Sequence, residues 1–527
     1  MSEIVKQNRR KLDKKTLVGV VCLLICLFSV CMYRFFIMRD YASVYTDEDQ
    51  ALMWYGTVAA SNFQLNEPHF LGQDYGSMLE SIVAVPFYKL GVPLNVCLPL
   101  ATFILFILPF VILSVISLVK GNSFLSVSLM GISLIFGWNI DVLASIPRSF
   151  LSGFAIAFIA YVLFRRNSWL TAIISPILFA IAFINTESTI TIIALSILEF
   201  VLYRFKDTIR KWPFYLAGTA IGAGLVVYCN NIFYKLHPEC IVFRFPKVAF
   251  PTLKCFKDNI NNIPKLLKSF SAYNFNGIPV ALLLIAVIIV AFLLVEKRYK
   301  GLITLFCAFL GSTAVLSLAR TFNFVGDLLF SQERMFLFFP YVILFCAFSI
   351  FGNKDSGNVN KFSLKFRENG IWTTAVLSVA VLGLAIGKSY YFEKTVLTFD
   401  CLYTDPLIHV EKVEDVNSLS NVIREQSLAN DVDTIIFLSD NRCAVYTLSA
   451  LNPDMVIYNS IMDRRSYVFN YLDENVYSQD VLTLNGPGMG PYETNVEHIE
   501  NRTIIEWLLN DYGRQRYPDD SPFHIGN

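Results

Sequence analysis

Long apolar stretches, separated by short polar segments, occupy most of the chain between residues 17 and 387. A bilayer core of about 30 Å needs about 20 apolar residues per helix. Eleven stretches, a few of them short, are therefore candidate membrane-crossing helices: 17–38, 94–119, 124–138, 150–164, 170–184, 190–203, 213–233, 278–295, 302–318, 335–351 and 371–387. The pattern predicts a polytopic α-helical membrane protein. The first stretch is expected to stay as a membrane anchor, because its apolar core exceeds that of a signal peptide and no small-residue cleavage site follows.

Composition and charge exclude several other classes of protein. Hydrophobic residues make up 55% of the 527 positions and charged residues 16%, whereas soluble domains carry about 25% charged residues. This excludes a soluble enzyme and a disordered chain. The 43 Lys and Arg residues are balanced by 42 Asp and Glu residues, which argues against a nucleic-acid partner.

Lys and Arg residues mark every second loop between the predicted spans, beginning with the basic segment 1–16. Positive charges in short loops collect on the cytoplasmic side of a membrane. The other basic loops hold Lys120, Arg165 with Arg166, 204–211, 297–300 and 354–367. The alternation predicts a multi-pass protein of the plasma (inner) membrane with a cytoplasmic N-terminus. An odd number of spans then places the C-terminal segment in the periplasm.

Three regions follow from these spans: a cytoplasmic basic tail at 1–16, a transmembrane domain at 17–388 and a periplasmic domain at 389–527. The transmembrane domain includes outer loops at 39–93 and 234–276. In the last region an amphipathic run at 413–428 leads into the apolar 434–438, and a helical run at 442–451 leads into 455–458. This repeated order indicates βαβ-like units of a small α/β domain.

The first outer loop contains the strongest candidates for chemistry. Asp47, Glu48 and Asp49 follow the first span directly, and the segment 69–77 precedes another acid, Glu80. Carboxylates beside a membrane are costly to desolvate, so they point to a function. The same three acids also fit the solvated first turn of a helix with Thr46 as its N-cap.

This order of residues resembles the GT-C superfamily of polyprenyl-phosphate-sugar-dependent glycosyltransferases, close to its protein mannosyltransferase-like bacterial members. The resemblance consists of an Asp-Glu pair beyond the first span, the Gly-Gln-x-Tyr-Gly segment at 72–76, then an acid, a Pro and a Leu-Gly end. It covers roughly 32–91, with a weaker echo at 332–340. It implies a GT-C-like fold of about eleven transmembrane helices.

The resemblance also implies roles for individual residues. Asp47 matches the general base that deprotonates the acceptor hydroxyl, and Glu48 matches its neighbour; Asp49 is an additional acid. Glu80 would line the sugar site or simply cap a helix. The side chains expected to contact the donor or acceptor sugar are Asp49, Gln73, Asp74, Tyr75 and Glu80.

A lipid phosphate needs basic partners on the same membrane face, because Arg and Lys donate charge-assisted hydrogen bonds to phosphate. Arg320 and Arg334 flank the last short outer loop. By the resemblance, Arg334 takes the place of the Arg in an Arg-Tyr-x-x-x-x-x-Pro segment, with Met335 in place of the Tyr. Both side chains also fit interfacial snorkelling.

Four further features have simpler interpretations. Asp141 with Arg148, and Glu187, are expected in outer turns, as turn residues or as acids that support the site. Gly222 and Gly224 are expected to pack helix against helix rather than bind a nucleotide. Cys240, Cys255, Cys401 and Cys443 lie in outer regions, where disulfides are permitted but not required. No motif demands a metal or other cofactor, although a divalent metal is compatible with the chemistry.

The leading hypothesis is an inverting glycosyltransferase that moves a single sugar from undecaprenyl phosphate to a periplasmic acceptor. The partners expected are the lipid-linked sugar donor, membrane lipid, and lipopolysaccharide O-antigen, another surface glycan or a protein as acceptor. One alternative is a polysaccharide polymerase or ligase, which usually has Arg-rich outer loops in mid-chain. Another is a lipid-linked sugar flippase or transporter, which should show two matching halves with broken helices.

Overall fold

The computed structural model describes residues 14–41, 48–65, 67–70, 75–137, 141, 144–145, 147–166, 168–205, 209–238, 240, 253, 256–257, 280–314, 337–352, 370–396, 413–432, 434–437, 448, 452, 455–459, 481–485 and 495–499. The helices of the first half are α1 (Lys14–Tyr41), α2 (Glu48–Ser61), α3 (Leu79–Lys89), α4 (Leu94–Val119), α5 (Ser123–Gly131), α6 (Ser152–Arg166) and α7 (Trp169–Asn185). Those that follow are α8 (Ile190–Tyr203), α9 (Trp212–Val227), α10 (Phe233–Leu236), α11 (Val280–Val295), α12 (Tyr299–Ala314), α13 (Phe339–Gly352), α14 (Gly370–Val396) and α15 (Val413–Asn430).

The chain is a helical membrane protein, as its apolar pattern predicts. Within the described residues, four helices are long and apolar enough to cross a bilayer: Thr16–Arg39, Leu94–Val119, Ile209–Leu236 and Gly370–Phe392. The third is continuous because a π-helical turn at Tyr228–Ile232 joins α9 to α10. Each of the other predicted stretches also contains a helix, but a shorter one.

Local sequence explains several helix ends. Ser168 caps α7 with a capping box, since its hydroxyl accepts from the Thr171 amide at 3.2 Å while the Thr171 hydroxyl accepts from the Ser168 amide at 2.9 Å. Asn122 caps α5 by accepting from the Leu125 amide at 3.1 Å. The polar breaks between apolar stretches therefore form the turns between neighbouring helices.

The centre of the bundle is aromatic. The Tyr341 ring, on α13, stacks on Phe154 of α6 with centroids 4.2 Å apart. Phe106 and Phe110 of α4 pack against the same ring at 6.1 and 5.8 Å. All four side chains are buried. Aromatic packing of this kind positions α4, α6 and α13, which carry or border the polar groups described below.

The two ends of the bundle differ in chemistry. At the end called here the basic end, Arg165 lies 3.4 Å from Glu199, and the Arg204 side chain donates to the Arg165 carbonyl oxygen. Lys120 contacts the Phe348 ring at 5.6 Å at this same end. The opposite end, called the loop end, carries α2 and α3. Leu52, Met53 and Trp54 of α2 pack there against the beginning of α4.

The described part of the C-terminal region contains α15 and one sheet of four strands. The strands are β1 (Thr434–Phe437), β2 (Val456–Asn459), β3 (Val481–Asn485) and β4 (Asn495–Ile499). Their order is β2-β1-β3-β4, with β1 parallel to both β2 and β3 and with β4 antiparallel to β3. The predicted strands at 434–438 and 455–458 correspond to β1 and β2, which pair in parallel. The helical run predicted between them at 442–451 lies outside the described residues except for Leu448.

Candidate functional site

Buried polar side chains collect at the loop end of the bundle and form two clusters. The first, the Glu80 cluster, consists of Glu80, Ser77, Ser149, Asn185 and Thr186. The second, the Asp141 cluster, consists of Arg34, Asp141 and Lys388. All eight side chains are at most 8% exposed. Buried polar and ionisable groups in a membrane protein are costly, so their concentration at one end identifies the candidate site.

Glu80 lies in the first turn of α3 and is completely buried. Its Oε2 atom accepts a hydrogen bond of 3.2 Å from the Ser149 amide, whereas Oε1 has no hydrogen-bond partner among the described residues. Burial raises the pKa of this carboxyl to about 8, although the Ser149 amide and the nearby Thr102 hydroxyl act in the opposite direction. Glu80 is therefore mostly protonated at neutral pH and can donate a hydrogen bond.

Ser149 connects three segments of the loop end. Its hydroxyl accepts from the Ser77 amide at 2.7 Å and donates to the Asn185 carbonyl oxygen at 3.2 Å. Its own carbonyl oxygen accepts from the Thr186 hydroxyl at 2.8 Å. The Ser149 backbone has a φ of 62°, in the left-handed region, which costs of order 1 kcal/mol in a residue other than glycine. The network holds this residue in place despite the strain.

The turn that precedes α3 approaches Ser149 closely at Gly76. Gly76 has a φ of 68°, and a Cβ atom there would lie 3.1 Å from the Ser149 Cβ. The Gly76 carbonyl oxygen contacts Nδ1 of the buried His69 at 3.1 Å, while Nε2 of this ring lies 2.7 Å from Oδ1 of Asn230. The loop preceding α3 is thus attached to α9 and its π-helical turn.

The Asp141 cluster contains two cations and one carboxylate. Nη2 of Arg34 lies 2.9 Å from Oδ1 of Asp141, and Nζ of Lys388 lies 2.5 Å from Oδ2. Tyr33 also donates to Oδ2 at 2.6 Å. The cluster joins α1 and α14 to the chain segment that follows α5. Tyr341 is close enough to interact electrostatically with both Arg34 and Glu80, so the two clusters are neighbours.

Several predicted site residues lie outside the described part of the chain: Asp47, Gln73, Asp74, Arg320 and Arg334. Glu48 and Asp49 are the first two residues of α2, and the predicted N-cap Thr46 lies outside the described residues. Tyr75 is half-buried beside Gly76, and Glu80 is central to the first cluster. The structure thus brings Tyr75 and Glu80 to one end of the bundle with the start of α2.

Other expectations need correction. Asp141 is not a simple turn residue, since it holds two buried cations from distant helices. Glu187, by contrast, is exposed in a short 3₁₀ turn, Glu187–Thr189, as a turn residue would be. Gly222 packs against α7, with Ala180 beside it, as predicted. Gly224 does not pack against another described helix, because a Cβ atom there would meet no atom of the described residues within 4 Å. Of the four outer cysteines, Cys255, Cys401 and Cys443 lie outside the described residues.

Sequence reasoning missed Arg34 and Lys388 as members of the site. Both are charged residues within or at the end of long apolar stretches, and charge in such a place is itself a signal of function. Ser149 and Asn185 were also missed, because Ser and Asn in a turn carry no distinguishing pattern.

Comparison of the sequence with protein-family profiles and with curated proteins gives no match. Within the described residues, no group of three or more His, Cys, Asp and Glu side chains is arranged to hold a metal ion. The described residues of the loop end supply a buried carboxyl, an ion-paired carboxylate, hydroxyls, amides and two cations.

Proposed function

We propose that this protein is an inverting membrane glycosyltransferase of the GT-C type. It moves one sugar from a polyprenyl-phosphate donor to an acceptor on the outer face of the membrane. The observation that carries the proposal is the concentration of buried ionisable groups at the loop end, where α2 begins with Glu48 and Asp49. Departure of a sugar from a lipid phosphate requires a base for the acceptor hydroxyl and cations for the phosphate, and both classes of residue belong to this end.

The proposal assigns different tasks to neighbouring groups. Asp47, immediately before α2, is the base that removes the proton from the acceptor hydroxyl. Glu80, protonated at neutral pH, donates a hydrogen bond to a sugar oxygen rather than accepting a proton. Two carboxyls in different environments can thus have different roles in one site, because burial separates their pKa values.

Membrane orientation and architecture form part of the same proposal. The loop end faces the periplasm and the basic end faces the cytoplasm, since Lys120, Arg165 and Arg204 follow the positive-inside distribution. About eleven helices cross the membrane, and the region 389–527 forms an α/β domain on the outer face. The four-stranded sheet with α15 supports such a domain.

Mass spectrometry of surface glycans and envelope proteins tests the function. Cells would carry the natural chain, no chain, Asp47→Asn or Glu425→Gln, with membrane levels measured in parallel. Glu425 lies on an exposed face of α15 and gives a matched carboxylate-to-amide control. We expect a mass increase of one sugar with the natural chain and with the control, and none with Asp47→Asn.

The other outcomes are informative. Transfer that survives in Asp47→Asn would retain the transferase but move the base to Glu48 or Asp49. No sugar-sized change with a well-inserted natural chain would contradict the proposal and favour transport of a lipid-linked sugar.

A further inference from the structure

The Asp141 cluster has more positive than negative charge. Arg34 and Lys388 share the Asp141 carboxylate, and the three side chains are 2%, 3% and 1% exposed. Glu80 does not balance the difference, because its raised pKa of about 8 keeps it mostly neutral. Among the described residues, no further acidic side chain lies in ion-pair contact with either cation. Within the described residues, the cluster therefore has a surplus of one positive charge.

Neutral groups stabilise the two cations but do not remove this surplus. Nη1 of Arg34 donates to the Asp141 carbonyl oxygen at 2.7 Å, and Nζ of Lys388 donates to the Phe136 carbonyl oxygen at 2.7 Å. The Arg34 guanidinium also lies 4.7 Å from the Phe106 ring centroid. Such contacts reduce the cost of burial, yet an ion without a counter-ion remains expensive in a low-dielectric interior.

One donor of the cluster has no partner within the described part of the chain. Arg34 uses Nη1 and Nη2 for Asp141, and its Nε–H makes no hydrogen bond to those residues although the side chain is 2% exposed. A buried guanidinium usually has all its donors occupied, since an unmade hydrogen bond to a charged group is costly. The Arg34 Nε–H without a partner and the surplus positive charge both favour the binding of an anion at the Asp141 cluster.

The surroundings of the cluster indicate a lipid source for that anion. Phe35, next to Arg34 in α1, is 61% exposed, and Tyr391, close to Lys388 in α14, is 49% exposed. The helices that supply the cations thus also present large apolar side chains on their outer faces. A phosphate attached to a hydrocarbon chain can place its charge at the cluster while its tail stays along these faces.

We propose that Arg34 and Lys388 form the binding site for the phosphate monoester of a membrane lipid. The identification of this lipid as the polyprenyl phosphate that is released when the sugar leaves the donor rests on the proposed function; the anion site itself does not. Phosphate suits the cluster because its oxygens accept from both a guanidinium Nε–H and an ammonium group, and because its charge cancels the surplus.

Two single substitutions in the Asp141 cluster are expected to leave the protein folded. Arg34→Met leaves a neutral Lys388–Asp141 pair, and Lys388→Met leaves a neutral Arg34–Asp141 pair. If the cluster is only structural, either change removes a surplus buried charge and should leave stability equal or higher. If the cluster binds phosphate, both changes should weaken ligand binding while the protein stays folded. Arg166→Met, at an exposed position of the basic end, is the matched control.

The experiment measures ligand binding by the full-length chain in nanodiscs of neutral lipid, by thermal shift and by titration. The probes are undecaprenyl phosphate, undecaprenol, phosphatidylglycerol and inorganic phosphate. We expect only undecaprenyl phosphate to raise the melting temperature of the natural chain and of Arg166→Met. Loss of one charge-assisted hydrogen bond should weaken its binding about ten- to a hundredfold in Arg34→Met and in Lys388→Met.

Several results would overturn the proposal. Equal binding by both cluster variants would show that the phosphate is held elsewhere, as at the predicted Arg320 and Arg334. An equal response to undecaprenol would show that the tail alone is recognised. An equal response to inorganic phosphate or phosphatidylglycerol would exclude selective recognition of a lipid monoester. The test is independent of sugar transfer: binding that is lost in the variants supports the site even if surface glycans show no sugar gain.

Discussion

Arg34 and Asp141 lie 107 residues apart in the chain, and their side chains meet at 2.9 Å in the buried part of the bundle. The contact connects α1 to the segment after α5. Because Lys388 contacts the other carboxylate oxygen at 2.5 Å, Asp141 also connects these elements to α14. One carboxylate therefore stabilises two buried cations.

Asp141→Asn should be the most damaging single change in this cluster. It leaves two cations buried together without a carboxylate, and breaking a buried ion pair by removing one partner costs about 3–5 kcal/mol. We expect little folded protein on size-exclusion chromatography in detergent, and a clearly lower melting temperature for the remainder. Lys388→Met should elute and melt like the natural chain. A normal melting temperature for Asp141→Asn would contradict the ionic description of the cluster.

The sequence predicts helical elements better than their contacts. The bounds of α4 and α8 are those expected from the apolar stretches 94–119 and 190–203, because apolar length and polar breaks act locally. The same pattern predicts a turn at Asp141, whereas the role of this residue depends on α1 and α14 packing beside it. Such packing over long sequence separations is not encoded in any local pattern.

In the candidate site, too, the sequence predicts some residues but not their contacts or their protonation. Glu80 is recognisable in the sequence as a polar residue of the first outer loop, but its neutral state follows from complete burial, which the sequence does not display. Likewise Ser149 acts through its backbone amide and its left-handed conformation. A serine in a turn gives no signal for either property. The apolar runs predict the strands β1 and β2, whereas β3 and β4 were missed.

Stability should fall as the pH rises, and Glu80 should be one cause. Its pKa is raised from an ordinary 4.5 to about 8 in the folded state, so between these values the folded chain holds a proton that the unfolded chain has lost. The contribution is therefore complete below about pH 4.5 and is lost as the pH approaches 8, with a limiting slope of about 1.4 kcal/mol per pH unit.

Glu80→Gln should remove this part of the pH dependence, because the amide resembles the protonated carboxyl and does not titrate. Melting temperatures of both chains would be measured in detergent from about pH 5 to about pH 9, an interval that spans the raised pKa. We expect the natural chain to lose more stability than Glu80→Gln over this interval. Parallel curves for the two chains would show that Glu80 has an ordinary pKa.

Gly218 should tolerate no side chain, because α9 packs closely against α7 there. A Cβ atom at this position would meet the carbonyl group of Ile173, and backbone atoms cannot move aside as a flexible side chain does. Gly218→Ala is expected to cost about 1–3 kcal/mol, measured as a lower melting temperature in detergent. Gly224→Ala, on the same helix with no atom of the described residues within 4 Å, is the control and should be neutral or slightly stabilising. Equal effects of the two changes would contradict the described packing.

The proposed orientation places Phe63 on the periplasmic side of the membrane and Arg166 on the cytoplasmic side. Phe63, in the turn after α2, is 95% exposed, and Arg166 is exposed at the end of α6. Cysteine substitutions at these two positions would be treated with a membrane-impermeant maleimide in intact spheroplasts and again after lysis, with the unsubstituted chain as the baseline for its native thiols. We expect Phe63→Cys to react in both samples and Arg166→Cys to react only after lysis, because the positive charges of the basic end are retained in the cytoplasm. The reverse pattern would place the basic end outside, and the Glu80 and Asp141 clusters would then face cytoplasmic rather than periplasmic substrates.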